Sequence, residues 1–578
     1  MTVEESSSPC ATATFTAVEE QNAVEVPPTF HKNSGFDSCT GIYHSLLQLG
    51  DKFQIPDKHE LNIAEYVLSH ICYADDQSRV ALVDSATNQV ITYSELRQSV
   101  HTLASVLYHV LGVRKGDVVL VLSPNSILYP IICLSIFAIG AILSPANPVS
   151  TESEIGKQLR ESNPKLLIIA PEEQHKLAGI GIQVLLTTRT SNEDVLCVEK
   201  LIESCNPPLE LPETQLTQSD IGAILYSSGT AGASKGVILT HANIIANITI
   251  LKWLVHATSS QEDVFLCFIP MFHVYGLTFF GLGLFTAGVT SVIMQKFDFQ
   301  AMLNAIETYQ VNHIPAVPPV ILGLVKCAGK LNCNLSSLRR VGSGAAPLSK
   351  KLAEEFRESF PWVELRPGYG LTETSGSTAF FLSNWQAEAH PASCGMLLPG
   401  FCAKVADIET GLALPPCEKG ELWIKSPTVM KEYLENEEAT ESTLDSEGWL
   451  RSGDLGFFDE DGFLHIIDRM KELIKYNGFQ VAPAELETIL LSHPQVLDAA
   501  VIPVEDEETG QTPMAYVVKA PGSKLTKQQV IQFVACQVSP YKKIRRVGFI
   551  SSIPKSAAGK IQRKQLVLHT QQQLTSKM

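Results

Sequence analysis

Tyr226 to Val237 reads YSSGTAGASKGV, a loop of hydroxyls and permissive glycines directly after the β-branched run Ile221 to Tyr226. Backbone N–H groups and side-chain oxygens in such a loop can wrap a polyphosphate, with Lys235 supplying charge. It is not a Walker loop, because Lys235 precedes its glycine and no Ser or Thr follows it. A second glycine-lysine element, PKSAAGKIQRK, lies far downstream at Pro554 to Lys564. Together the two elements point to chemistry on a nucleotide phosphate.

The strand before the first loop belongs to a longer alternation. Val118 to Leu122 precedes a helix from about Ser126, and further strands are expected at Leu166 to Ile169 and Val289 to Met294. Strands separated by helices argue an α/β fold with parallel sheets covered by helices. After Gly411 the texture turns Gly- and Asp-punctuated, as in GELWIKSP and GFLHIIDR, which predicts a smaller, more antiparallel, β-rich subdomain. Ala484 to Ser492 and Thr526 to Val538 read as helices around strands near Ala499 to Pro503 and Ala515 to Lys519, a small α+β terminal unit. Residues 1–53 are acidic and Ser/Thr/Pro-punctuated and read as a disordered leader. The expected division is therefore a leader over 1–53, a large domain over 54–470 and a terminal domain over 471–578.

Composition narrows the function classes. With 18% charged and 45% hydrophobic residues, the 578-residue chain can bury several cores. The net charge of -17 argues against a nucleic-acid partner. Locally the sign reverses, since Tyr541 to Met578 carries nine Lys or Arg and no acid, which suits a small polyanion or a solvated basic face. The 13 cysteines form no C-x-x-C pair, so reduced thiols in an intracellular, reducing setting are expected, and zinc is not, because no Cys/His cluster shows ligand spacing. Val264 to Gln295 contains no Asp, Glu, Lys or Arg. Pro270, His273 and four glycines interrupt it, so it is read as strand, turn, helix and strand rather than a transmembrane segment.

Eight elements in order give the sequence a family likeness. SSGTAGASKG at 227–236, PMFHVYGL at 270–277, GSGAAPL at 342–348, GYGLTET at 368–374, GELWIKSP at 420–427, SGDLG at 452–456, DRMKELIKYNGFQVAPAELE at 468–487 and PKSAAGK at 554–560 resemble the adenylate-forming acid:CoA ligases. Within them the chain is similar to the plant 4-coumarate:CoA ligase-like group. The resemblance implies two steps: a carboxylate attacks the α-phosphate of ATP to give an acyl-adenylate and pyrophosphate, then coenzyme A displaces AMP to give a thioester. It also implies ATP, Mg²⁺ and coenzyme A as cofactors, and a terminal domain that swings between the steps. Neither step needs a protein nucleophile, which agrees with motifs rich in Gly, Ser/Thr and Lys.

Carried over by position, Ser227, Ser228, Gly229, Thr230, Ala231 and Lys235 are implied around the β- and γ-phosphates, and Glu373 at Mg²⁺. Thr372, Asp454 and Arg469 are implied at the α-phosphate, ribose and nucleotide. A lone Asp or Arg in a Gly-rich turn is ordinarily a cap or surface pair; the ordered company of motifs outweighs that reading. Lys560 is implied for adenylation. An ammonium about 4 Å from a developing oxyanion contributes roughly 4 kcal/mol at an effective dielectric near 20, so its loss is expected to cost on the order of a thousandfold in rate. For the thioester step the resemblance implies Lys471 at the hinge, then Lys475, Asn477, Gly478 and Gln480 facing adenylate and coenzyme A, with Lys296 toward coenzyme A. Relatives commonly carry Lys at the position of Asn477.

The acyl side is implied at Tyr275, Gly342, Gly344, Ala345, Gly368 and Gly376, with Ala345 and Gly368 also touching the nucleotide. His273 is implied as an aromatic gate that shields the adenylate from water. Gly342 stands where hydroxycinnamate ligases carry a polar or basic residue, and Gly376, Ser377 and Thr378 replace a bulkier Pro-Val-Leu. Pro367 replaces the usual Gln before GYG. A longer, less aromatic-selective pocket is expected, for a medium- or long-chain fatty acid or a jasmonate-precursor oxylipin. The alternatives are 4-coumarate, cinnamate or benzoate, or a protein that binds an acyl group or nucleotide without catalysis. The chain ends Ser576-Lys577-Met578, similar to a peroxisomal Ser-Lys-Leu address read by an import receptor.

Overall fold

The computed structural model describes residues 33–71, 78–177, 179–192, 195–204, 208–211, 215–227, 234–329, 333–344, 348–476, 479–506, 509–556 and 559–575. Two large sheets form the body. In the seven-stranded sheet, Val118–Leu122, Ile142–Ala146, Leu166–Ile169 and Gln183–Leu186 run parallel, Ile221–Ser227 joins parallel to Ile142–Ala146, and Lys235–Thr240 returns antiparallel. Val119 to Leu122 are wholly buried, as expected for a parallel strand covered on both faces. Helices Tyr93–His109, Glu152–Ser162 and His241–Thr258 start at hydroxyl caps: Thr92, Thr151 and Thr240 each close a capping box.

The nine-stranded sheet runs parallel from Val80–Asp84 through Thr290–Ile293, Val264–Cys267, His313–Ala316 and Arg340–Ser343 to Glu364–Leu371. Gly376–Phe380 then pairs antiparallel with Glu364–Leu371. The uncharged stretch from Val264 folds as expected into strand, helix and strand, and no described helix is long and apolar enough to cross a membrane. Its helix begins as a π-helical segment, Gly276–Gly283, before Leu284–Ala287. A Cβ at Gly276 would lie 2.1 Å from the Pro270 carbonyl oxygen, so glycine lets the turn carrying His273 and Tyr275 fold back on itself.

A six-stranded antiparallel sheet forms the β-rich part, from Cys402–Ala406, Gly420–Lys425, Leu450–Phe458 and Leu464–Arg469. Its remaining strands correct the expected leader. Phe36–Asp37 and Ile42–His44 pair with each other and then with Cys402–Ala406. Tyr43 is wholly buried, stacked 4.4 Å from Phe458, and its hydroxyl donates to the Leu414 carbonyl at 3.0 Å. Strands of two and three residues are too short to show a period of two, which hid them in the sequence.

The next strand after Arg469, Ile474–Tyr476, belongs to a separate terminal sheet built on the long hairpin Val496–Asp506 and Gly510–Lys519. Helices Pro483–Leu491 and Lys527–Ala535 lie close to the expected spans. Arg563 donates to Glu472 and to both oxygens of Glu487, tying the start of this unit to its last helix. Replacing Tyr43→Ala is expected to destabilise the β-rich sheet by about 3 to 5 kcal/mol, read as a lower urea midpoint; an unchanged midpoint would place residues 36–44 outside the core.

Candidate active site

The carboxyl ends of the parallel strands in the nine-stranded sheet open into one cavity of about 430 Å³, the usual ligand position in such sheets. His273 and Tyr275 reach it from the turn after Val264–Cys267, and Val317 from the end of His313–Ala316. Gly342 and Gly344 follow from the next strand, and Gly368 to Glu373 from Glu364–Leu371 and the turn beyond. Ser227 enters from the seven-stranded sheet, Arg469 from the antiparallel sheet, and Lys555, Ser556, Gly559 and Lys560 from the terminal unit. Four separately folded sheets therefore meet at one space.

At its polar end Asp454 is almost wholly buried. The Tyr369 hydroxyl donates to Asp454 Oδ2 at 2.6 Å, and Arg469 Nε lies 3.1 Å from Oδ1. Burial pushes the Asp454 carboxyl up, and Arg469, Tyr369 and Lys560 pull it back down. Lys560 is pushed down to about 8, first by burial and then by the Arg469 guanidinium. Gly559 has φ +78°, and a Cβ there would press to 3.2 Å from Val317; glycine thus lets the terminal loop seat its lysine against the body.

A second polar cluster adjoins the first. Lys235 Nζ lies 4.4 Å over the Tyr433 ring, and the Tyr433 hydroxyl donates to Glu373 Oε1 at 3.0 Å. Burial lowers the Lys235 ammonium, and the nearby Lys471 charge adds to that. Glu373 with the hydroxyls of Ser227 and Thr372 forms a hard-oxygen donor set at the cavity, which fits Mg²⁺ chemistry. His273 lines the wall, and burial pushes it down to about 4, so it stands there as a neutral ring.

The apolar end is walled by Phe268, Val274, Tyr275, Val317, Val320 and Phe380. Tyr275, Pro315, Gly342, Ser377 and Phe380 also line a further chamber of about 60 Å³ that runs to Leu251, Leu254, Val255, Phe279 and Phe280. A Cβ at Gly342 would meet nothing closer than the Tyr275 hydroxyl at 3.9 Å, so the missing side chain leaves space at the junction. Gly376 sits at φ +131°, where other residues are strained.

Sequence reasoning thus gathers Ser227, Lys235, His273, Tyr275, Gly342, Gly344, Gly368, Thr372, Glu373, Gly376, Asp454, Arg469 and Lys560 at or beside one cavity. Three lysines stand apart from its lining: Lys475 and Lys471 are exposed on the terminal strand and linker, and Lys296 is exposed beside the cavity residue Phe297. Ser228, Gly229, Thr230, Ala231, Ala345, Asn477, Gly478 and the side chain of Gln480 lie outside the described residues. Tyr369 and Tyr433 carry no role in the sequence reading. Tyr369 stood inside a quoted motif, whereas Tyr433 had no local signal.

Residues 72–434 match the AMP-binding enzyme family, and residues 485–560 match the AMP-binding enzyme C-terminal domain. A probable CoA ligase of Humulus lupulus is 44% identical over 93% of this chain and 97% of its own length. The peroxisomal OPC-8:0-CoA ligase 1 of Arabidopsis thaliana is 42% identical over 93% of this chain and 98% of its own. Among solved structures, the o-succinylbenzoate coenzyme A synthetase of Bacillus subtilis, in complex with ATP and magnesium ion, superposes with a TM-score of 0.74 at 27% identity. It covers 87% of this chain and 98% of that one.

The lowered Lys560 ammonium is directly observable. In a lysine-selective NMR titration one resonance is expected to titrate near pH 8, to be absent from Lys560→Met, and to differ from exposed lysines near the ordinary value of about 10.4. Titration of every lysine near that ordinary value would contradict the buried placement.

Proposed function

Because the chain belongs to the AMP-binding enzyme family and is an AMP-forming acid:CoA ligase, we propose that it activates a medium- or long-chain acyl acid, including jasmonate-precursor oxylipins. The carboxylate oxygen attacks the α-phosphorus of ATP and the bond to the β-phosphate breaks, releasing pyrophosphate. The coenzyme A sulfur then attacks the acyl carbonyl carbon, AMP leaves, and the thiol proton passes to solvent.

In the first step Lys560 and Arg469 offset charge on the α-phosphate, and Asp454 accepts from the ribose hydroxyls. Ser227, Thr372 and Lys235 hold the phosphate chain together with the loop that follows Ser227. Glu373 would hold Mg²⁺, which neutralises phosphate charge when bound. Lys560 is useful only while protonated, and a pKa of about 8 keeps it largely charged at neutral pH. His273 closes the acyl side without titrating. For the second step the terminal unit rotates about Lys471, withdrawing Lys560 and bringing in Lys475, Asn477, Gly478 and Gln480, with coenzyme A approaching along Lys296.

The chamber beyond Gly342 carries the substrate reading. Its walls are mainly apolar, with Thr258, Ser259, His313 and Arg340 also lining it, and each methylene buried against the apolar part adds about 0.8 kcal/mol, so three would favour a longer acid by roughly fiftyfold. Gly342 itself offers a phenol hydroxyl no side-chain partner, and His313 and Arg340 in the chamber wall are already paired with Asp263 and Glu364, so a hydroxyl left unmet there would lose about 1 to 3 kcal/mol. The 42% identity to an OPC-8:0-CoA ligase supports the same class.

The deciding experiment supplies ATP, Mg²⁺, coenzyme A and a mixed pool of fatty, oxylipin, cinnamic, coumaric and benzoic acids, with thioesters read by mass. Fatty or oxylipin thioesters are expected to dominate. Gly342→Leu is expected to lower kcat/KM for the longest of them by ten- to a hundredfold while sparing the shortest acid accepted. Dominance of coumaroyl or cinnamoyl thioesters would replace this reading with the phenylpropanoid one, and absence of any thioester would favour a binding role.

Peroxisomal residence is proposed from Ser576-Lys577-Met578, which lies outside the described residues, and from the peroxisomal relative. A fluorescent protein fused ahead of the chain should enter peroxisomes through the import receptor and become cytosolic when the last three residues are removed. Import that survives that removal would sink the assignment.

A further inference from the structure

Away from the cavity, the fold assembles a cluster that linear spacing hides. His390 follows helix Asn384–Ala389, while Asp459 and His465 flank the turn between strands Leu450–Phe458 and Leu464–Arg469. We propose that His390, Asp459 and His465 form a site for one divalent transition-metal ion, of the zinc class, that joins the helix end to this turn.

His390 Nδ1 and His465 Nε2 each lie 2.9 Å from Asp459 Oδ2, and the three ligand atoms fall within 4.8 Å of one another. Ligands held at about 2.0 to 2.1 Å around a tetrahedral zinc lie roughly 3.3 Å apart, so the ion is admitted when each nitrogen moves slightly away from Asp459 Oδ2 and the two nitrogens, within 4.8 Å of each other, adjust to the same spacing. Two imidazoles and one carboxylate are a nitrogen-oxygen set that favours zinc or its transition-metal neighbours over Mg²⁺.

The surroundings already orient each donor. Asp459 Oδ1 accepts from the amides of Asp461 at 3.1 Å and Phe463 at 2.9 Å, which turns Oδ2 toward the imidazoles. The second nitrogen of His390, Nε2, lies 3.9 Å from Asp461 Oδ2. Closing that gap to hydrogen-bond distance would hold the proton on Nε2 and leave Nδ1 with its lone pair free for metal, the arrangement in which an outer carboxylate fixes a ligating histidine. His390 stacks on Phe463 at 3.8 Å between centroids, and His465 on Phe457 at 4.7 Å, so neither ring is free to swing. Without metal the same atoms form two N–H to carboxylate hydrogen bonds, and that is the competing state.

The site is separate from the Mg²⁺ position proposed at Glu373, so its test does not depend on ligase activity. The full chain, stripped with chelator and held in excess Mg²⁺, is titrated with Zn²⁺ or Co²⁺. One equivalent is expected to bind, raise the thermal midpoint and, for Co²⁺, give visible d–d bands without thiolate charge transfer, which excludes the cysteines. His390→Gln and His465→Gln should each weaken binding at least tenfold and abolish the midpoint shift with unchanged circular dichroism. Asp461→Asn should weaken it less, and Glu373→Gln should leave it intact. Failure of the wild type to take up one equivalent, or uptake that survives both histidine substitutions, would overturn the proposal in favour of hydrogen bonding alone. Should a histidine variant fail to fold, the wild-type stoichiometry and the Asp461→Asn titration still decide it.

Discussion

A buried carboxylate governs the arrangement. Asp454 is 2% exposed and would be costly to ionise there without partners. Its partners come from different parts of the fold: Tyr369 from the nine-stranded sheet and Arg469 from the neighbouring antiparallel strand. Satisfying that one group fixes the antiparallel sheet against the parallel one. It also positions the guanidinium that, with burial, lowers Lys560. The polar end of the cavity is therefore an electrostatic assembly rather than a row of independent contacts, and changes at any of the four residues should be felt by the others.

The cavity joins two physical regimes. One end gathers Lys235, Arg469, Lys560 and Glu373, where charge must be balanced and hydration replaced. The other is bounded by aromatic and aliphatic side chains and continues past Gly342, where size and shape dominate. The missing side chain at Gly342 adds to the capacity of that end, because the space beside it is open.

What the sequence disclosed follows the same division. Fully apolar strands such as Val118–Leu122 and Leu166–Ile169 were readable to the residue, since continuous burial leaves a continuous apolar run. The cavity residues were readable because they sit in short motifs whose order identifies a family. Features built by distant pairing were not. The strands at Phe36–Asp37 and Ile42–His44 pair with each other but join a sheet through a partner some 360 residues away. Tyr433 reaches Glu373 across 60 positions, and His390 meets Asp459 across 69. No local periodicity encodes such meetings.

The clasp formed by Arg563 with Glu472 and Glu487 has a mechanical consequence. It ties Glu472 to the helices that carry Glu487 and Arg563, while Arg469 is fastened to the antiparallel sheet by backbone pairing and by Asp454. Only Met470 and Lys471 lie between the two anchors, so a turning motion of the terminal body is concentrated in about four backbone torsions. Next to that pivot, the Ala484 amide donates to Asp468 Oδ2 at 2.9 Å, a latch that a large turn would have to release. The joint is thus short in its axis, and a large turn would have to break this hydrogen bond together with the one from Lys351 to the Ser492 carbonyl, so the resting orientation is held by contacts on both sides of the pivot.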